Sequence, residues 1–445
     1  MKKRTTIYIE HGTVLKELPQ SQHLSLRDNI YPLSMLKKQA ASVKHAAPSV
    51  KLSPRGVARL QGRHPWVYRS DVDVADANDI PPGALVRVLD VRGKFLGTAL
   101  YSSSSQIAIR MISHGSVPDL PALVAERIRA AIAYRKDLVS NTDAYRIVFS
   151  EADFLPGLIA DRYNDVITLQ ILTQAMDAAP VREAVLRTLR EELQLAGIVE
   201  RVDAHIRELE QLPPRQSGLL WGEKTSTVIH MNGVEMGGDE ANAIRFHYDG
   251  LEGQKTGAFL DQRENYAAAA QYAHGDALDA FCYQGGFALH LAAKCSSVTG
   301  VDSSRPALEM AEKNALLNGR ELEWIEANAF DLLRDYAATR RYDTVVLDPP
   351  AFAKTKRDLE KALGGYKELN LRAMKMLRPG GILVTCSCSF HVSSADFLKV
   401  VAAAAQDAHK SLRVIENRGA AKDHPILLNV PETSYLQCLI LNVSN

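Results

Sequence analysis

The chain has 445 residues, 46% of them hydrophobic, and a formal net charge of +1, which allows about three domains with sizeable cores. No run approaches the ~20 apolar residues of a membrane-spanning helix, and the basic N-terminus lacks the apolar stretch of a signal peptide. The five cysteines (Cys282, Cys295, Cys386, Cys388 and Cys438) form no C-x-x-C pair, which argues against a zinc centre or a thioredoxin-like dithiol and for a reducing compartment, the cytoplasm. The near-neutral total hides an asymmetry: residues 1–115 carry 17 Lys and Arg against 8 Asp and Glu, so the N-terminal third suits a polyanionic partner.

Residues 1–49 show weak periodicity and scattered Lys, Arg and Pro, and are expected to form a mobile tail. Residues 50–117 read as short strands. Val86 and Val88 alternate with Arg87 and Leu89, and Ile107, Ile109 and Met111 alternate again. The segment Arg55, Arg59, Arg63, His64, Trp66, Tyr68, Arg69 contains no acid. Such a basic, aromatic rim on a small all-β unit is suited to RNA, since Arg binds phosphates and aromatic rings stack on bases. Pro118 and Pro121 mark a boundary. Residues 118–225 then read as a middle α+β unit, with helices over about Ala122–Val139 and Ala179–Leu193 and strands over Val166–Leu172 and Ile198–Val202.

Residues 226–445 form the last unit. Paired strands are expected within 226–250. Gly253 to Arg263 follow, with Lys255, Asp261, Gln262 and Arg263 in a glycine-containing loop suited to lie against a ligand; a surface turn leading into a helix fits equally well. From there strand and helix alternate, the pattern of a doubly wound parallel sheet. The expected strands are Ala277–Phe281, Val298–Val301, Leu322–Glu326, Thr344–Leu347 and Ile382–Thr385. Ligands of such sheets sit outside the carboxyl ends of the strands. There the first strand offers Asp279, Phe281, Gly285 and Gly286, the second Asp302, the third Asn328, and the fourth Asp348-Pro349-Pro350. Glycines let the backbone turn tightly against a ligand, and Asp302 can accept both hydroxyls of a ribose. In this order and spacing they resemble the S-adenosylmethionine site of Rossmann-like methyltransferases.

The last of these strands ends Cys386-Ser387-Cys388-Ser389. Alternation turns both thiols to one face, with Cys388 nearer the strand end and the cleft. A thiolate there is a strong nucleophile, although most free cysteines are small buried hydrophobes.

With these residues in hand, the chain from about Val50 onward resembles the bacterial large-subunit (23S) ribosomal RNA cytosine-C5 methyltransferases, class I enzymes with an N-terminal PUA domain. The likeness rests on His64-Pro65-Trp66-Val67, Glu151-Ala152-Asp153 with Leu155-Pro156-Gly157-Leu158, Asp161-Arg162-Tyr163, Lys255-Thr256-Gly257, Leu260-Asp261-Gln262-Arg263, Asp348-Pro349-Pro350, Ser387-Cys388-Ser389, Asp423-His424-Pro425 and Pro431-Glu432. It departs from the pattern in the extra tail, in Asn328 where an acid is usual, in Phe390 where a glycine is expected, and in the additional thiol Cys386.

The resemblance implies a PUA domain, a middle α+β domain and a Rossmann-like α/β methyltransferase domain that uses S-adenosylmethionine on large-subunit ribosomal RNA. It implies Cys388 as the nucleophile that adds to cytosine C6, and Asp348 as the carboxylate that meets the base. No membrane partner is expected, and a homodimer is compatible with the sequence. Two other readings fit parts of the chain. An amino-group methyltransferase acting on guanine or adenine would use Asp348 but leave Cys388 without a role. A non-catalytic RNA-binding assembly factor would use the N-terminal unit but needs no cofactor pocket.

Overall fold

Seven strands make the largest sheet of the protein, in the spatial order Glu323–Glu326, Ser297–Asp302, Asp276–Ala280, Tyr342–Leu347, Leu377–Ser387, Gln437–Ser444 and Ser411–Arg418. The first five are parallel, and Gln437–Ser444 runs antiparallel to both its neighbours. This is a computed structural model, and it describes residues 47–73, 79–232, 243–252, 256–353 and 355–444. Lys255 and most of the expected tail lie outside them. Ser49, expected in the tail, already pairs with Arg87 in a strand.

Strand alternation gives the large sheet two cores. Leu278, Ala280, Val345, Leu347 and Leu383 pack on one face with Leu333, Leu369 and Phe397 from the helices Ala329–Tyr336, Leu359–Met376 and Ser394–Asp407. Ala277, Val346, Val384, Cys386 and Ile440 pack on the other with Ala268 and Leu289. The helix Arg305–Leu317 carries local signals at both ends: Ser304 Oγ accepts from the Ala307 N–H, Pro306 fills the first turn, and Gly319 turns out of the helix at φ 60°.

Two further five-stranded sheets precede this one. The N-terminal sheet runs Ser49–Lys51, Leu85–Leu89, Phe95–Tyr101, Ile107–Ser113, Trp66–Tyr68, and the middle sheet Gly218–Gly222, Gly197–Glu200, Val166–Ile171, Leu158–Tyr163, Ala144–Phe149. The N-terminal unit is not purely β. Pro54–Gln61 is a helix, because Ser53 caps the Gly56 N–H and Pro54 is pre-set for a first turn. Arg55 and Arg59 therefore project from a helix, not from a strand.

The middle and C-terminal units are joined by a buried chain of charges. Arg146 forks both oxygens of Asp161 at 2.7 and 2.8 Å, and Thr256 Oγ1 donates to Asp161 Oδ2 at 2.6 Å. Asp423, fully buried, accepts the Arg146 N–H at 2.7 Å and faces Arg263 at 3.4 Å. Arg135, also buried, donates to the carbonyls of Arg146 and Asp423 at 3.0 Å each and forks Asp153. Buried charges are tolerated only when paired and hydrogen-bonded in this way. Burial alone would raise the Asp423 pKa. His424, Arg263 and the Arg146 N–H outweigh it and hold the carboxyl well below the usual range. Asp423 therefore stabilises the fold fully above the ordinary carboxylate pKa of about 3.9, and that contribution is lost as pH falls through the depressed folded value.

Asp423→Ala leaves the buried Arg263 without this carboxylate and the Arg146 N–H without its acceptor. Urea unfolding should show a loss of about 3–5 kcal/mol at neutral pH, and the difference from wild type should narrow as pH falls below about 4. A variant as stable as wild type at pH 7 would refute this role.

Candidate active site

Strand register decides which side chains meet. Ala280 pairs with Val301 on one side and Leu347 on the other, and Leu347 pairs with Thr385. One residue further on, Asp302, Phe281, Asp348 and Cys386 are level across four neighbouring strands. The strand order reverses at Asp276–Ala280 and Tyr342–Leu347, the place where a sheet of this kind opens a crevice.

The turn after the first strand is built from left-handed residues. Phe281, Tyr283 and Gly285 have φ of 69°, 49° and 87°. Such alternation points successive N–H groups toward one side. The Tyr283 N–H reaches Asp302 Oδ2 at 2.9 Å, and Asp302 Oδ1 accepts from the Ser304 N–H at 2.8 Å. Both carboxylate oxygens are thus held in place, each with a lone pair to spare. Gly286 lies so close to Tyr266 that a Cβ would sit 2.5 Å from the ring. Asp279 is fully buried at this turn, with Oδ2 accepting the Ala288 N–H at 2.9 Å and Oδ1 without a hydrogen-bond partner. Burial pushes its pKa well above the carboxylate range against that one hydrogen bond, and the charges of Asp348 and Asp302 push it further. A site that crowds three carboxylates favours a cation.

Asn328 is exposed and caps the next helix, accepting the Phe330 N–H at 2.9 Å through Oδ1. Asp331, the next acid after it in sequence, is exposed and pairs with Arg334. Phe281, Phe330, Phe352 and Tyr366 form an unbroken series of ring contacts at 6.2, 5.7 and 4.7 Å along this side.

The strand carrying the thiols ends at Ser387, so Cys388 lies just past it, half-buried, with Sγ 3.7 Å from the Pro349 carbonyl. Cys386 points elsewhere. It is fully buried in the apolar layer opposite Cys438, and burial, reinforced by Cys438, pushes its pKa far above that of a free thiol. The Ser-Cys-Ser segment is clamped by a residue that no local signal in the sequence singles out. The Tyr366 hydroxyl bonds Ser387 Oγ at 3.0 Å and Ser389 Oγ at 2.9 Å, and burial pushes its pKa up to about 12. Ser389 Oγ in turn accepts the Phe352 N–H at 3.0 Å and the Ala353 N–H at 3.3 Å. One phenol therefore ties Ser387-Cys388-Ser389 to the loop that begins Asp348-Pro349-Pro350.

The remaining candidates find partners inside the protein. Asp261 accepts the Tyr435 hydroxyl at 2.7 Å, Gln262 accepts from Asn265 at 2.7 Å, and Arg263 lies among Asn141, Glu264 and Asp423. In the N-terminal unit, Arg55 is exposed and pairs with Asp71 at 2.6 Å, and Arg59 lies 4.7 Å over the Tyr68 ring. Arg63 is exposed and meets His114 at 2.9 Å. His64 and Trp66 turn inward instead, to Glu432 at 3.3 Å and Glu151 at 2.9 Å. Among the described residues no group of His, Cys, Asp and Glu is arranged to hold a metal, and no helix is long and apolar enough to cross a membrane.

Comparison with known proteins bears on the same regions. Residues 50–114 match the PUA-like domain family and residues 226–439 the S-adenosylmethionine-dependent methyltransferase family. The chain is 38% identical over 403 residues to "Ribosomal RNA large subunit methyltransferase I" of Shewanella denitrificans, covering 88% of this chain and 99% of that protein. It is 37% identical over 388 residues to the protein of the same name from Photobacterium profundum, covering 85% and 95%. A solved structure of a SAM-dependent methyltransferase from Streptococcus mutans superposes with a TM-score of 0.72 at 17% identity, over 88% of this chain and 99% of that one. At that identity the likeness concerns the fold.

Tyr366→Phe removes the hydroxyl shared by two buried serines. Unfolding should become easier by about 1–3 kcal/mol, and amide exchange at 387–389 should quicken while the Asp276–Ala280 strand is unaffected. Unchanged exchange at 387–389 would remove Tyr366 as the clamp.

Proposed function

The chain belongs to the ribosomal RNA large subunit methyltransferase I family and is an S-adenosylmethionine-dependent methyltransferase, and on that premise we propose that it methylates C5 of a cytosine in large-subunit ribosomal RNA through a covalent Cys388 adduct. The observation that carries this reading is the meeting of Cys388 with the Asp348-Pro349 turn, Sγ to the Pro349 carbonyl at 3.7 Å. In the proposed division of labour, the PUA-like unit meets RNA and the unit from about residue 226 holds the cofactor and the target base.

The residues at the glycine turn fit the cofactor. Its sulfonium and amino groups are cations, and the buried, unpartnered Asp279 Oδ1 beside Asp302 and Asp348 is a place that a cation relieves. Asp302 would take the ribose hydroxyls, the turn from Phe281 to Gly286 the main body of the ligand, and Asn328 the adenine edge through its remaining capacity. Bound there, S-adenosylmethionine supplies an electrophilic methyl group.

Cytosine C5 is a poor nucleophile until C6 is attacked. The Cys388 thiolate adds to C6, and the electron pair shifts toward C5, which becomes able to take the methyl group. Asp348 faces the base edge, where a hydrogen bond or proton at N3 eases that addition. Loss of the C5 proton then returns the electron pair, breaks the C6–S bond and frees the thiol. Cys386 is unsuited to this work because its burial disfavours the thiolate. Tyr366 acts through Cys388 by fixing the serines on both sides of it.

RNA containing 5-fluorocytosine cannot lose a proton from C5, so wild type should leave a denaturant-stable protein–RNA species on a gel. Cys388→Ala should leave none. Cys386→Ala should keep it and lose on the order of 1 kcal/mol of stability. A species that survives Cys388→Ala but vanishes with Cys386→Ala would reverse the assignment, and none with wild type would favour amino-group methylation.

The raised pKa of Asp279 gives a second test. A bound cation favours the carboxylate, so cofactor binding should release protons and tighten as pH rises toward the free protein's elevated pKa. Calorimetry in buffers of different ionisation enthalpy measures this. Proton uptake, or binding independent of pH with Asp279→Asn indistinguishable from wild type, would remove Asp279 from the site.

A further inference from the structure

A cavity of about 370 Å³ lies where the N-terminal unit, the middle unit and the loop around Leu427–Asn429 come together. This volume is within the range of small-ligand sites. Its walls are largely apolar, and its charged members are mostly basic. Arg63 and His114 come from the N-terminal unit and Arg127 from the middle one. Glu151 is the single acid among the described residues that line it, and its two oxygens already accept from Trp66 Nε1 at 2.9 Å and Ser150 Oγ at 2.5 Å.

Phe154 is the unusual member of the lining. Its backbone is left-handed, φ 58° and ψ 26°, a conformation rarely adopted by a bulky residue. The residue is nevertheless 59% exposed. The position therefore gains neither backbone ease nor burial from being phenylalanine. Arg127 holds it there, donating to the Phe154 and Ile112 carbonyls, with its guanidinium 5.8 Å from the ring centroid. Arg63, across the cavity, is left-handed too, with φ 64°, and its carbonyl is pinned by Asn429. An exposed ring in a strained, braced backbone beside two guanidinium groups is an arrangement that can stack a base and meet its phosphates.

We propose that this cavity takes one unstacked nucleotide of the substrate RNA, other than the cytosine that is methylated, with its base on Phe154 and its backbone toward Arg63 and Arg127. The inference rests on ribosomal RNA being the substrate. It adds a contact that fixes the register of the RNA on the enzyme from the side of the N-terminal and middle units. Phosphate contacts at Arg63 and Arg127 would supply affinity, and the stacked base would require the RNA to be unpaired at that point.

The test uses the full chain and an unmodified large-subunit ribosomal RNA transcript. Phe154→Gly removes the ring and suits the left-handed backbone, so the fold should be as stable as wild type. Phe154→Trp keeps a stacking surface. RNA affinity should fall at least about fivefold in Phe154→Gly and stay within about twofold in Phe154→Trp, with affinity for S-adenosylmethionine unchanged in both. Irradiation at short wavelength should attach a nucleotide to the peptide containing Phe154. RNA binding by Phe154→Gly equal to wild type, with crosslinks mapping to other peptides, would overturn the proposal. Its failure is separable from that of the catalytic reading. Formation of 5-methylcytosine with RNA binding indifferent to Phe154 sinks the cavity alone, and Phe154-dependent binding without 5-methylcytosine sinks the C5 chemistry alone.

Discussion

The arrangement depends on one buried carboxylate. Asp423 reaches back across 277 residues to the Arg146 N–H and across 160 to Arg263, and its carbonyl takes Arg135 across 288. Its carboxylate and its carbonyl together tie the middle unit to the elements that carry the site. Arg146 extends the chain to Asp161, and Asp161 to Thr256, whose hydroxyl also meets Tyr163 at 2.8 Å. The loop that leads into Leu260–Gln262 and the following helix is thereby anchored to the middle unit. Charges deep in a protein usually add specificity of arrangement more than net stability. Here the geometry they specify is the seating of one unit on another.

Against that frame the site itself needs few special parts. Parallel pairing brings Phe281, Asp302, Asp348 and Cys386 level, and the reversal of strand order opens the crevice beside them. Cys388 is set apart from Cys386 because the strand ends between them, at Ser387. One thiol goes into an apolar layer and the other to a turn. Tyr366, from the helix packed beneath, fixes that turn by holding both flanking serines. The half-buried position of Cys388 is thus produced by neighbours that are themselves buried.

Much of the fold could be read from local pattern. The alternation of strand and helix after residue 276, the cap at Ser304 and the left-handed Gly319 are local signals with local causes, and the structure agrees with them. The helix Pro54–Gln61 was legible in principle from Ser53-Pro54 but was hidden by the strand pattern around it. The motifs Glu151-Ala152-Asp153, Asp161-Arg162-Tyr163, Asp423-His424-Pro425 and Pro431-Glu432 stood out in the sequence without a role, and Lys255-Thr256-Gly257 only as part of a loop suited to a ligand. Their partners lie far away in the chain: Glu432 meets His64 across 368 residues, Glu151 meets Trp66 across 85, and Thr256 meets Asp161 across 95. Hydrogen bonds at such separations leave no periodicity and no spacing to detect.

The sequence by itself therefore determined the class of sheet, the strand ends where ligands gather, and the residue types offered there, because alternation and turn chemistry act over a few neighbours. How deeply each thiol is buried, which phenol holds the Ser-Cys-Ser segment, and which acids pair with buried arginines were decided only by the tertiary structure. Those outcomes depend on burial and on partners brought together from distant parts of the chain, and desolvation has no expression until the chain is folded.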